Sequence, residues 1–250
     1  MKKFNLLGCE VINEELVSKC PYCGEPIYRI TLENGVSFNS ERCQCLEEIR
    51  TLESLKVAAN DKESTIAYNK ERCGFTKRDL KEIDVPAKTH SGNIEAYNAI
   101  VKYANGFNEN YTKGMYLYGA PGVGKSFLAK KAVKIVIHRG YSCYITTMSK
   151  LVNDLKNEVS SFTGNTKRKC IDVDLLILDE FGSEPNKEFA RKEISGIISS
   201  RYENMKPIIY TSNLSLEKLK KKYDEFGQVY SRIADSTVKI EITGIDMRGL

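Results

Sequence analysis

From Met115 to the C-terminus the chain alternates short apolar runs with longer amphipathic ones. The runs "GMYLYG", "YSCYITT", "VDLLILDE", "PIIYTSN" and "VKIEITG" are short, rich in β-branched and aromatic residues, and bounded by Gly, Pro, Asn or charged positions, which reads as five strands. Segments such as "SFLAKKAVKIVIHRG" and "FARKEISGIISSRYENM" lie between them and read as helices. Five strands joined by long helical crossovers predict an α/β fold, a parallel sheet with helices on both faces.

Upstream the pattern changes. In "LEEIRTLESLKVAANDKESTIAYNKE" the residues Leu46, Ile49, Leu52 and Leu55 fall at helical spacing with charges between them, predicting a connecting helix. An irregular stretch with Pro86 and Gly92 follows and reads as a linker. "IEAYNAIVKYANGF" then predicts a helix that Gly106 ends. The expected division is a cysteine-bearing module with its helix over 1–72, a linker over 73–92 and the α/β domain over 93–250.

Length fits this division, since 250 residues allow one large domain and something smaller. No apolar run approaches the roughly 18 to 20 residues that span a bilayer, and the basic start "MKK" meets Glu10 before any signal-like core develops. The expectation is a soluble cytoplasmic protein with no membrane partner. The formal charge of +5 is uneven: residues 1–72 hold 10 basic and 12 acidic residues, and residues 73–250 hold 28 and 21. A basic α/β domain suits a polyanionic partner, although lysine-rich solvated faces produce the same balance.

The segment Gly119, Ala120, Pro121, Gly122, Val123, Gly124, Lys125, Ser126 is a complete phosphate-binding loop pattern, set between a predicted strand over Met115–Tyr118 and a helix opening at Phe127. Glycines let the backbone curl so that N–H groups point inward beside a helix N-terminus; Lys125 adds a charge for the β and γ phosphates, and Ser126 can ligate magnesium. The strand "VDLLILDE" delivers Asp179 and Glu180 to the sheet edge where ligands bind in open α/β folds. Asp179 is expected to hold magnesium through its water shell, and Glu180 to orient and deprotonate a water that attacks the γ-phosphate of ATP. Asn213 ends the fourth strand at the same edge, either holding that water or capping the helix "LSLEKLKKKY". Arg201 and Arg232 are candidate arginine fingers for a neighbouring subunit, against the commoner alternative of a solvated or salt-bridged arginine.

The cysteines suggest a second site. Cys20 and Cys23 are followed, after 19 intervening residues, by Cys43 and Cys45. Four thiolates suit tetrahedral zinc, whose binding would fold a module too small for its own core; the alternative is buried or redox-active thiols. The second pair is one residue closer than the usual two-residue gap. Cys9, Cys73, Cys143 and Cys170, and the two histidines, His90 and His138, offer no further constellation.

Taken in order, "YLYGAPGVGKSFLA", "VDLLILDEFG", "RYENMKPIIYTSNL" and "YSRI" followed by a closing strand and "GIDMRG" resemble the DnaC/DnaI-type replicative helicase loaders, AAA+ ATPases closely related to IstB-type transposition ATPases. The resemblance spans about residues 90–250, and the cysteine-rich leader is similar, less specifically, to loaders of phage and Gram-positive type. It implies a strand order 5-1-4-3-2, Walker B roles for Asp179 and Glu180, and a sensor role for Asn213. It also implies that Arg232 is the finger acting in trans, with Arg201 matching a second family arginine. The family carries a helical excursion before the Walker B strand that contacts single-stranded DNA. Here that excursion places Phe162 beside Lys156 and the run Lys167, Arg168, Lys169, an aromatic and basic set of the kind that stacks bases and tracks phosphates; the alternative is a core Phe beside a solvated loop. Phe189 matches another aromatic position near that surface. Only 18 residues follow Arg232, so no helical lid is expected, and a neighbouring copy would cover the nucleotide in an ATP-dependent assembly.

The function so implied is an ATP-dependent loader placing a replicative helicase on single-stranded DNA, with ATP, magnesium and zinc as cofactors. Two competitors share the motifs: a transposition accessory ATPase, and an adaptor or inhibitor that uses nucleotide structurally.

Overall fold

The computed structural model describes residues 5–6, 9–20, 24–40, 44–82, 84, 92–161, 165–183, 188–222 and 227–247. The chain divides into two compact units, 1–63 and 64–250.

The first unit holds a four-stranded antiparallel sheet in the order β1-β2-β3-β4, formed by β1 (Asn5–Leu6), β2 (Cys9–Lys19), β3 (Pro26–Leu32) and β4 (Ser37–Asn39). The cysteine reading of this segment as a zinc-binding module assigns it no strands. Its strand signal is weak because β2 is polar at most positions and pairs with β3 through two register shifts. The turn from β3 to β4 is written in "ENG": the Leu32 amide donates to Val36 O, and the Asn34 side chain accepts from the Val36 amide. Helix α1 (Gln44–Arg72) follows, and its last turns belong to the second unit.

The second unit is built on five parallel strands, β5 (Gly114–Tyr118), β6 (Cys143–Thr147), β7 (Leu175–Asp179), β8 (Ile208–Ser212) and β9 (Thr237–Glu241). They lie side by side as β6-β7-β8-β5-β9. Strands β5 to β8 are short and apolar because both their faces are covered, whereas β9 at the margin is largely exposed. Alternate side chains go to opposite layers. Met115, Leu117, Ile145, Leu175, Ile177 and Ile209 pack with α3 (Ile94–Gly106) and α4 (Lys125–His138). Tyr116, Tyr144, Leu176, Leu178, Ile208 and Tyr210 pack with α5 (Met148–Ser161), α6 (Asn165–Asp172), α7 (Glu188–Glu203), α8 (Leu216–Lys222) and α9 (Gly227–Ser236).

The segment read as a linker contains a short helix, α2 (Lys77–Glu82), capped reciprocally: the Thr76 amide and hydroxyl donate to the Asp79 carboxylate, and the Asp79 amide donates to Thr76 Oγ1. Lys130 of α4 closes an ion pair on the same carboxylate. Just before α2 the chain runs beside the outer edge of β6, where the Ile145 amide donates to Cys73 O at 2.8 Å. The approach is close enough that a Cβ on Gly74, at φ +90°, would stand 2.4 Å from Ile145 O. Among the described residues no helix is long and apolar enough to cross a membrane.

Candidate functional site

Parallel register brings the carboxyl ends of the strands together. Thr147 pairs with Asp179 across β6 and β7, and Tyr118 pairs with Ser212 across β5 and β8. The loops leaving β5, β7 and β8 therefore meet at one edge, and a cavity of about 270 Å³ opens there. Pro121, Gly122, Gly124, Lys125, Ser126, Phe127, Glu180, Thr211, Ser212 and Asn213 line it.

The loop from Gly119 to Gly124 carries its backbone through positive φ at Gly119, Gly122 and Gly124. Gly122 has a second reason to lack a side chain, since a Cβ there would meet the Asp246 carboxylate at 1.9 Å. The Met247 amide donates to Gly122 O at 3.0 Å, so residues 246–247 are laid directly on the loop. Gly124 caps α4 without a side-chain hydrogen bond, which leaves the first-turn amides of that helix facing the loop. Amides at a helix N-terminus and a concave glycine backbone form an anion site. Lys125 is buried, and its ammonium donates to Gly119 O at 2.9 Å and Ala120 O at 2.6 Å. Val123 turns inward to the core while its neighbours form the rim.

Asp179 is 7% exposed, and one of its oxygens, Oδ1, accepts two hydroxyls, Ser126 Oγ at 2.7 Å and Thr211 Oγ1 at 2.5 Å. The Thr211 hydroxyl uses its remaining capacity to accept the Glu180 amide at 3.0 Å. Thr211 thus fixes both acidic residues at once. Glu180 has φ +59°, a left-handed conformation that costs a non-glycine residue about 1 kcal/mol or more. That turn sends its side chain outward, exposed, beyond the buried Asp179. Phe181 continues the lock, donating its amide to Thr211 O, and Ser212 Oγ donates to Phe181 O.

Asn213 is exposed on the wall of the cavity, and the cap of α8 comes from Ser215, whose hydroxyl accepts the Lys218 amide. Capping by Asn213, the competing sequence reading, is therefore not what the fold uses. The residues fit a nucleotide triphosphate with a divalent cation: a curled amide-lined loop, a lysine at its base, and a hydroxyl on a strand-end carboxylate.

The two arginines part company. Arg201 is fully buried at the opposite edge of the sheet, where its guanidinium donates to the carbonyls of Cys170, Ile171, Val173, Asp174 and Pro207 at 2.8–3.1 Å. Burial pushes its pKa down to about 10, still well above neutrality, so it stays charged. The reading of Arg201 as a candidate finger does not hold: a fully buried guanidinium whose two terminal nitrogens are bonded to its own chain's carbonyls reaches no neighbour. Arg232 of α9 stands on the surface of α7, donating to Ser199 Oγ, pairing with Glu203 at 3.5 Å and lying over the Tyr202 ring at 5.8 Å.

The basic run of α6 spreads in three directions: Lys167 pairs with Glu193, Arg168 with Asp172, and Lys169 stands 4.2 Å over the Tyr144 ring. Phe162 lies outside the described residues, and Phe189 is half-buried against the second core layer. Among the zinc candidates, Cys20 is buried, its amide donating to Glu25 O and its carbonyl accepting from the Gly24 amide. Cys23 and Cys43 lie outside the described residues, as does the side chain of Cys45 at the start of α1. Among the described residues no three His, Cys, Asp or Glu side chains gather as a metal site.

Sequence reasoning missed Thr211 and the strap at 246–247. The polar pair "TS" closing the apolar run of β8 was the available signal for the first.

A parallel sheet with a phosphate loop after its first strand, an acidic end to its third and a polar end to its fourth defines a P-loop nucleotide-binding protein. The chain belongs to the IstB-like ATP binding protein family, whose family model matches residues 99–248. Its sequence is similar to the replicative helicase loader DnaI of Bacillus subtilis, 24% identical over 237 residues that cover 84% of this chain and 74% of that protein. It is also similar to the replicative helicase loader DnaC of Buchnera aphidicola subsp. Schizaphis graminum, 29% identical over 135 residues, 52% of this chain. The match spans about half of that relative, 54% of its length. Among solved structures it is similar to the crystal structure of the DnaC helicase loader, with TM-score 0.61 and 26% identity, covering 67% of this chain and 100% of that one. The five-stranded parallel core thus matches the AAA+ core of DnaC/DnaI-type loaders.

Proposed function

We propose that this protein is an ATP-hydrolysing loader that places a replicative DNA helicase on single-stranded DNA. In this reading residues 93–250 bind ATP and DNA and self-assemble through Arg232, and residues 1–72, organised by zinc on Cys20, Cys23, Cys43 and Cys45, dock the helicase. The observation that carries the nucleotide part is the shared grip of Ser126 and Thr211 on Asp179, with Glu180 turned out beyond it.

Mg-ATP, when bound, supplies the γ-phosphoryl group and the cation that neutralises its charge. The chain binds and orients. The loop amides and Lys125 hold phosphate oxygens, Ser126 and Asp179 hold the cation, Glu180 takes a proton from the attacking water, and Asn213 orients that water. Arg232 acts on the nucleotide of the next copy, which requires it to exchange Ser199 and Glu203 for phosphate. Its 24% exposed side chain supports that exit. The DNA part is supported by the basic run of α6 and by the similarity to helicase loaders.

The test is Glu180→Gln in the full chain. Hydrolysis should fall at least about 100-fold while ATP binding persists, and sedimentation with ATP should show a trapped assembly that Arg232→Ala cannot form. Hydrolysis by Glu180→Gln at the wild-type rate would sink the mechanism.

A further inference from the structure

A larger cavity than the nucleotide cleft, about 640 Å³, lies within the second unit at the opposite edge of the sheet. It opens at the amino ends of β6 and β7, between the last turn of α1 and helix α6. Its volume is in the range of small-ligand sites, roughly 300–1,000 Å³.

Its charge is unusual. Arg72 of α1 and Lys169 of α6 both line it, and among the described residues neither meets a carboxylate at ion-pair distance. Each instead lies over a ring, Arg72 at 5.1 Å from the Tyr68 centroid and Lys169 at 4.2 Å from that of Tyr144. Burial lowers the Lys169 pKa, and Arg72 pushes it the same way. Two cations in each other's field, neither with a carboxylate at ion-pair distance, are stabilised by an anion entering between them. Arg168 adds a third cation at the rim, held by Asp172 across 3.1 Å where both side chains are exposed, a pair worth little against a phosphate. Tyr68 is 58% exposed, which leaves ring surface for a planar group to stack on.

We propose that this groove binds a nucleotide unit, its phosphate between Arg72 and Lys169 and its base stacked on Tyr68. The unit is a free mononucleotide or one residue of a single strand. The proposal deepens the nucleic-acid part of the function above and rests on it only for the strand as source. It adds Tyr68 and Arg72, from a helix outside the phosphate loop and the Walker strand.

The test is fluorescence anisotropy of labelled oligothymidylate, ten nucleotides long, with the full chain over a range of salt concentrations. Arg72→Gln and Lys169→Gln should each reduce the salt slope by about one and weaken binding several-fold, and Tyr68→Ala should weaken it roughly tenfold. Arg72→Lys and Tyr68→Phe should hold near wild type. Competition by thymidine monophosphate at equal nucleotide concentration identifies a free nucleotide as ligand; competition only by unlabelled strand identifies the strand. Wild-type binding that all three variants retain would overturn the groove and leave the DNA-binding reading standing. No binding of either probe by wild type would overturn both. Displacement of the oligonucleotide by polyglutamate with equal potency would overturn the assignment to a nucleotide.

Discussion

Thr211 is a small residue with a large share of the site. Its single hydroxyl hydrogen points at Asp179, and its lone pair takes the amide that precedes the strained turn at Glu180. Removing the hydroxyl while keeping the shape, as in Thr211→Val, leaves the Asp179 carboxylate held by Ser126 without its second hydroxyl and the Glu180 amide without an acceptor. We expect kcat for ATP hydrolysis to fall roughly 10- to 100-fold, with KM for ATP changed less than threefold and the magnesium requirement raised, and Thr211→Ser to restore most of it. An equal loss in the Ser variant would show that the methyl group matters and the hydroxyl does not. The polar pair closing β8 marks this threonine as a strand-end residue, but only the register across β7 and β8 shows which groups it holds. Arg201 teaches the converse. An arginine before a strand looks like a finger until burial shows its two terminal nitrogens taken by five carbonyls.

At the level of elements, the phosphate loop, its helix and all five strands of the larger unit were legible, because each is written in local chemistry: glycines where φ is positive, apolar runs for the four strands covered on both faces, and an alternating run for the largely exposed β9. The antiparallel sheet of the first unit was not, since β2 keeps polar residues at most positions and its pairing shifts register twice. Helix α2 was hidden in what read as a linker, because six residues carry too little periodicity to announce themselves. Its anchor is Asp79. Partial burial raises the pKa of that carboxyl, but hydrogen bonds from Lys130 and Thr76 outweigh burial and hold it below its ordinary 3.8. A folded value below the unfolded one means the stabilisation is present above about pH 3.8 and is lost as pH falls through the lower folded value. Asp79→Asn should therefore cost on the order of 1 kcal/mol at pH 7 in urea unfolding, and the two proteins should converge toward pH 2. A stability gap that persists unchanged at that pH would mean the carboxylate charge is irrelevant to the anchor.

For the whole molecule, the chain divides at 63/64, earlier than the expected boundary at 72, and the proposed function puts nucleotide chemistry in the larger unit and partner docking in the N-terminal module. Zinc connects the two ideas. The full chain purified without chelator should carry about one zinc per molecule by elemental analysis. Stripping the metal should abolish capture of the helicase while leaving ATP binding unchanged. A chain with no zinc would remove the metal from the account, and zinc-dependent capture of a transposase would redirect the partner.

The close passage of Cys73 and Gly74 along β6 bears on something else, how the protein keeps its own company. An open strand edge invites other chains to add to it, and such growth is hard to reverse. Here one margin of the sheet is covered by the chain's own backbone, and the other, β9, is short and carries Lys239 and Glu241. Copies of this protein meeting at high local concentration are thereby steered to side-chain contacts that can be undone, and away from the strand-on-strand fusion that leads to fibrils.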